Sequence, residues 1–246
     1  MSIADKLALI AENQQKVFEA GKQAEYDNFW DTYQQKGNRT NYGYAFRGHD
    51  WTDDIFNPKY DLILTTAYSG AQMFHSSGIT RLASKLKEKG LRFDTSALSS
   101  TGALQMFQES SIKDVPELDL RKCTNIGYIF GSGAKVETIE KFIISEQANT
   151  GLGTAFGQAS KLKHIIFDGV LATTGMNLKD STLLDKESII SLINILSTTT
   201  SGLAVTLSLT AVNKAFETSE NANDGSSSVE WQTLVNTKKN WTINLS

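Results

Sequence analysis

The 246-residue chain is 40% hydrophobic, enough to bury a core of one or two domains, and its 24 Lys and Arg against 27 Asp and Glu leave a net charge of -3. These charges are scattered without large blocks of one sign, which argues against a phosphate-binding surface and against nucleic acid as a partner. Two prolines and 18 glycines exclude a collagen-like or Pro-rich stalk, and the single Cys123 excludes an internal disulfide or a zinc site built of cysteines alone.

Residues 1–36 read as an N-terminal helix. Ile3, Leu7, Ile10, Gln14, Val17, Gly21 and Ala24 follow a 4-3-4-3 spacing, a heptad seam with Glu12, Gln15, Lys16, Glu19 and Lys22 outside it. Such a stripe cannot be buried by the helix alone, so it either lies on the body of the chain or self-associates as a coiled coil. Oligomerisation, with a trimer as the form suited to a fibre, is expected through Ile3, Leu7, Ile10 and Val17. Gly21 weakens the helix by roughly 1 kcal/mol relative to Ala. Asp5 and Glu12 interrupt the apolar residues needed for a Sec-type signal peptide, and no run of ~18 apolar residues suggests a membrane span. Folding in the cytoplasm is the expectation.

Residues 37–60, following Phe29, Trp30 and Tyr33 at helical spacing, are rich in aromatics: Tyr42, Tyr44, Phe46, Trp51, Phe56 and Tyr60. A carbohydrate-stacking surface is one reading of these rings. Turn residues Gly37, Asn38, Asn41, Gly43 and Gly48 favour another, a compact cap whose rings seal the end of a solenoid.

Residues 61–180 repeat. Phe107 is followed by Ile112, Val115, Leu118 and Leu120, and Phe130 by Val136, Ile139, Phe142 and Ile144; Phe156 leads Leu162, Ile165 and Phe167, and Phe74 leads Ile79 and Leu82. Phe-to-Phe distances of 33, 23 and 26 residues fit repeats of ~20–29 residues, the longest carrying an insertion around Lys85 to Arg92. In each unit the Leu-x-Leu pattern makes a short strand with two inward side chains, and the Phe fills the coil. The expected fold is α/β: a short leucine-rich-repeat-type solenoid behind an N-terminal α-helix, with residues 181–246 as an α/β C-terminal set of rungs and cap. In that last region Asp185 to Leu196 reads as a helix, Val205 to Ser208 as a strand, Ala211 to Phe216 as a helical turn and Asn221 to Ser228 as a polar loop. Glu230 to Lys239 reads as a helix and Trp241 to Ser246 as a strand.

The segment Ala155-Phe-Gly-Gln-Ala-Ser-Lys-Leu-Lys-His-Ile-Ile-Phe resembles the repeat of BspA-like bacterial leucine-rich repeat proteins, in which Ala-Phe precedes a small residue, a Leu and an Ile-x-Ile strand. Leu118-Asp-Leu-Arg-Lys-Cys-Thr-Asn-Ile and Gln105-Met-Phe look like the related repeat with Thr-Asn-Val and Met-Phe. The likeness covers roughly residues 60 to 246. Phe29-Trp30-Asp31, Pro58-Lys59-Tyr60, Ser188-Ile-Ile-Ser-Leu-Ile-Asn-Ile-Leu and Asn240-Trp-Thr-Ile are similar to chains of gut Firmicutes and their prophages. What the resemblance implies is a virion or phage-like particle protein of the tail, fibre or baseplate, with other structural proteins or a bacterial surface receptor as partners; the alternative is an adhesin at the bacterial cell surface.

Catalytic chemistry finds no foothold in the sequence. His49, His75 and His164 are far apart without an HExxH pattern, and no GxSxG elbow, P-loop or GxGxxG occurs. Gly131-Ser-Gly133 and Gly151-Leu-Gly153 fit tight corners between rungs. Asp53-Asp54 and Asp114 with Glu117 are read as solvated carboxylates rather than glycosidase acids, and Asn221-Ala-Asn-Asp-Gly-Ser departs from a calcium loop. A non-enzymatic binding or assembly module without cofactor or metal is therefore expected, with a glycan-active enzyme the remote alternative. Alternation along the strands directs Asp119, Ile143, Ile166, Thr206 and Asn244 outward as one row, with Ile143 and Ile166 as neighbours and Ser145, His164 and Asp168 as polar rim. This row is the candidate binding face.

Overall fold

The computed structural model describes residues 2–33, 42–53, 55–64, 70–147, 150–173 and 175–246, and the side chains of 29–33 are outside that description. The expected turn residues Gly37, Asn38 and Asn41, the side chains of Phe29, Trp30 and Tyr33, and Asp54 therefore lie outside the described residues. The chain is mixed α/β, with an N-terminal helix and small parallel sheets.

Helix α1 spans Ile3–Tyr33. A capping box opens it: the Asp5 N–H donates to Ser2 Oγ at 3.2 Å while the Ser2 N–H donates to Asp5 Oδ2 at 2.7 Å. Pairs one turn apart, Lys16 with Glu12 and Gln15 with Glu19, line its outer face. Its far end is anchored. The Tyr26 ring is buried edge-on against Trp51 and Phe56, at 5.0 and 6.4 Å, and ion pairs tie Lys22 to Asp50 and Asp27 to Lys59. This aromatic group closes on Phe46, whose ring meets Trp51 and Phe56 at 5.8 Å each.

From Phe46 onward the rings form a column. Phe46 and Phe74 stack at 4.9 Å, Phe74 and Phe107 at 5.4 Å, Phe107 and Phe130 at 5.3 Å, and Phe130 and Phe156 at 5.5 Å, with interplanar angles from 3° to 26°. The backbone follows the rings: the N–H groups of Phe46, Phe74, Phe107 and Phe130 donate to the carbonyls of Met73, Met106, Ile129 and Ala155, at 2.8–2.9 Å. Phe46 thus leads a fifth unit, which the aromatic run around it hides in the sequence. Four of the five turns bend through a left-handed residue two places before the Phe, at Tyr44, Gln72, Gln105 and Tyr128, with φ from 53° to 63°, whereas Thr154 before Phe156 is helical.

Between the turns run short strands: β1 (Leu62–Ile63), then helix α2 (Ala83–Glu88) and β2 (Phe93–Asp94), β3 (Asp114–Val115), β4 (Leu118–Asp119), β5 (Thr138–Ile144), helix α3 (Leu152–Ala155) and β6 (His164–Gly169). β1 pairs with β2; β5 pairs with β3 and β4 along one edge and with β6 along the other, all in parallel. Leu118, Leu120, Ile139, Phe142, Ile144, Ile165 and Phe167 point into the core and are buried. Helix α2 falls in the segment where the longest repeat carries its insertion. Gly151 explains one tight corner: a Cβ there would sit 2.0 Å from the Gly127 nitrogen of the neighbouring turn.

The C-terminal region holds β7 (Asn177–Leu178), α4 (Lys186–Ile195), β8 (Leu203–Leu207), α5 (Leu209–Phe216), α6 (Val229–Asn236) and β9 (Trp241–Leu245), with a short 3-10 turn at Gly225–Ser227 in the expected loop. β7, β8 and β9 make a separate parallel sheet. Helix α4 lies along the outer edge of β6. The Ser188 and Ser191 hydroxyls accept the Ile165 and Phe167 N–H groups at 2.9 and 3.1 Å, so side chains supply acceptors that another strand would have supplied. Asp185 caps the helix by accepting the Ser188 N–H at 2.9 Å, and Lys238 closes the other end, its Nζ donating to the Asn194 and Leu196 carbonyls at 2.9 and 2.5 Å.

Candidate functional site

The outward residues of β4, β5 and β6 sort by register. Asp119 faces Ile143, and Ile143 faces Asp168. The expected neighbours Ile143 and Ile166 are not opposite each other. Ile139 pairs with Ile165 and Phe142 with Phe167, so Glu140 and Lys141 of β5 stand across from the single Ile166, a β-bulge that slides the two isoleucines apart. Both are half-buried.

Asp119 is held from two sides. Arg121 donates to it through Nε at 2.9 Å and Nη2 at 2.6 Å, and its backbone N–H donates to Thr95 Oγ1 at 2.7 Å. The Arg121 hydrogen bonds lower the Asp119 pKa against the opposing effect of burial. Ser145 Oγ donates to the Arg121 carbonyl at 2.6 Å, and Lys141 Nζ sits 3.6 Å from Glu117 and 3.8 Å from Asp168. Ser145 and Asp168 thus belong with this row. His164 does not: it pairs with Thr138 at the other end of β6, and its Nδ1 lies 2.6 Å from Asp185 Oδ2 at the start of α4.

Thr206 and Asn244 face each other in the C-terminal sheet, with Asn177 across from Thr206. The single five-residue row expected from alternation is therefore two rows on two sheets. The cause is that β6 is followed along its edge by α4 rather than by β7 or β8.

A groove of about 610 Å³ lies beside the first row. Leu86 of α2, Phe93 of β2 and Pro116 give it apolar walls, and Asp94, Asp119 and Glu140 carry its acidic side. The groove opens where α2 departs between two units, so the insertion around Lys85 to Arg92 was the sequence signal for it.

Burial pushes the Cys123 thiol up to about 12, which keeps it protonated and unreactive at neutral pH. His49 stacks on Trp51 at 4.5 Å, and His75 shares a hydrogen bond with Ser76 at 2.8 Å. Asp53 and Asp114, weighed as glycosidase acids, accept backbone N–H groups of residues 80–84. Among the described residues no group of three or more His, Cys, Asp or Glu is placed to hold a metal ion, and no helix is long and apolar enough to cross a membrane. No family model, curated protein or solved structure matches the chain.

Proposed function

We propose that the chain is a non-enzymatic recognition or assembly module, a short solenoid of leucine-rich-repeat type whose strand face carries the contact. The observation that carries this reading is the five-ring column from Phe46 to Phe156 with matching hydrogen bonds from unit to unit. Five stacked units extend a continuous surface, and such surfaces serve binding of large partners. The Asp119, Ile143 and Asp168 row, bordered by the groove at Phe93 and Pro116, is the contact face.

The likeness of the repeats and chain ends to BspA-like proteins of Firmicutes and their prophages supports a setting in the tail, fibre or baseplate of a phage or phage-like particle. Negative-stain microscopy of purified particles with a specific antibody tests this. Label at the tail or baseplate is expected; particles that all stay bare, with label on intact cells instead, would point to the surface adhesin. For the contact face, Ile143→Ser with Asp168→Lys should weaken attachment to the native particle or cell at least tenfold while leaving thermal stability near wild type. Unchanged attachment would remove the row from the mechanism.

A further inference from the structure

The N-terminal part of α1 exposes an apolar stripe. Ile3, Leu7, Ile10, Val17 and Phe18 are 79%, 60%, 52%, 74% and 57% exposed, and every residue from 3 to 20 is exposed. The anchor to the body uses a different side of the helix, through Lys22 and Tyr26. At roughly 100 Å² per side chain the five residues present on the order of 500 Å² of apolar surface, at the upper range for a monomer and well toward the ~800 Å² per partner of a specific interface.

We infer that this face is where copies of the chain join, through a parallel bundle of three or four α1 helices with their bodies at one end. Four features of the helix support a second copy as the occupant. The seam keeps a seven-residue repeat from Ile3 to Ala24, the period at which helices wind around each other. With Leu7, Gln14 and Gly21 at the a positions and Ile3, Ile10, Val17 and Ala24 at d, the N-terminal stretch of the seam places Leu7 at a between Ile3 and Ile10 at d, the local arrangement that shifts coiled coils from two strands to three or four. Ala4, Ala11 and Phe18 widen the apolar face on its e side, which a two-stranded pairing would leave in water. Asp5, Glu12, Lys16 and Glu19 fall on the outer positions, with Glu12 and Lys16 paired within the helix, so no like charges meet across the seam. Gln14 interrupts the seam at one a position, and alignment of each Gln14 with its counterparts satisfies the amides only when the helices run parallel and in step.

The inference is independent of what the strand face recognises. Sedimentation equilibrium of the full chain at micromolar to hundred-micromolar concentration is expected to give three or four times 27.0 kDa. Leu7→Ser with Ile10→Ser, both on exposed positions, should return the mass to one chain with the body's thermal unfolding unchanged. A parent that stays monomeric or stops at a dimer across this range overturns the inference, as does a double variant that keeps the parent mass. Orientation is read from Ile3→Cys, since the native Cys123 is buried: mild oxidation should link chains through position 3 in the parallel bundle. An intact oligomer without that link overturns the parallel arrangement.

Discussion

Phe130 sits in the middle of the ring column, between Phe107 and Phe156, and is fully buried. Truncation removes ring contacts with Phe107, Phe142 and Phe156 and leaves a cavity between two turns, so Phe130→Ala should cost about 3–5 kcal/mol, measured by urea denaturation. Gly151 and Gly21 make an instructive pair. A methyl group at 151 meets the backbone of the next turn at 2.0 Å, whereas one at 21 meets nothing within 4 Å. Gly151→Ala should therefore lower the melting temperature by several degrees, while Gly21→Ala should strengthen α1 by about 1 kcal/mol, seen as raised helical circular dichroism. Asp185 gives the chain an acid limit. Burial raises its pKa, but hydrogen bonds from Ser188 and His164 outweigh that and hold it below the ordinary 3.8. Its contribution is complete above the unfolded-state value and is lost as pH falls through the folded one. Asp185→Asn should thus be less stable than wild type at pH 7 and converge with it in strong acid, as denaturation midpoints across pH would show.

At the scale of elements, α4 and β6 depend on two hydroxyls. Ser188 is fully buried, and removing its oxygen leaves the Ile165 N–H without an acceptor, so Ser188→Ala should cost about 1–3 kcal/mol by the same denaturation assay. The identity of such elements was legible in the sequence wherever spacing repeats. Phe107, Phe130 and Phe156 mark turns because each is followed by aliphatics at similar steps, and Asp185 ahead of Ile189, Leu192 and Ile193 marks a capped helix. What spacing hid is equally specific. Phe46 was masked by the aromatics around it, although Ala45-Phe46 after Tyr44 parallels Met73-Phe74 after Gln72. The offset of Ile143 from Ile166 was written in the interval from Ile139 to Phe142, one residue longer than that from Ile165 to Phe167, and alternation alone passes over such a bulge. The groove was less legible, since a sequence shows that an insertion leaves the repeat and not what space it opens.

Across the whole molecule, the Phe-led units bond in series: the ring and N–H of each engage the next, from the Tyr26, Trp51 and Phe56 cluster through to Phe156. Tension is carried differently by such an arrangement than by a sheet whose strands are all loaded at once. A pull on α1 reaches the aromatic cluster first, through Tyr26 and the Lys22 pair with Asp50, and passes to the Phe74 unit through the bonds of Phe46, Gly48, His49 and Asp53 together. As the solenoid proposed above, the body would yield by peeling, one turn at a time, each step freeing the 28, 33, 23 or 26 residues between successive phenylalanines. In the proposed assembly, held through its N-terminal helices, the chain would then lengthen under load in small steps, absorbing work before its last turns let go.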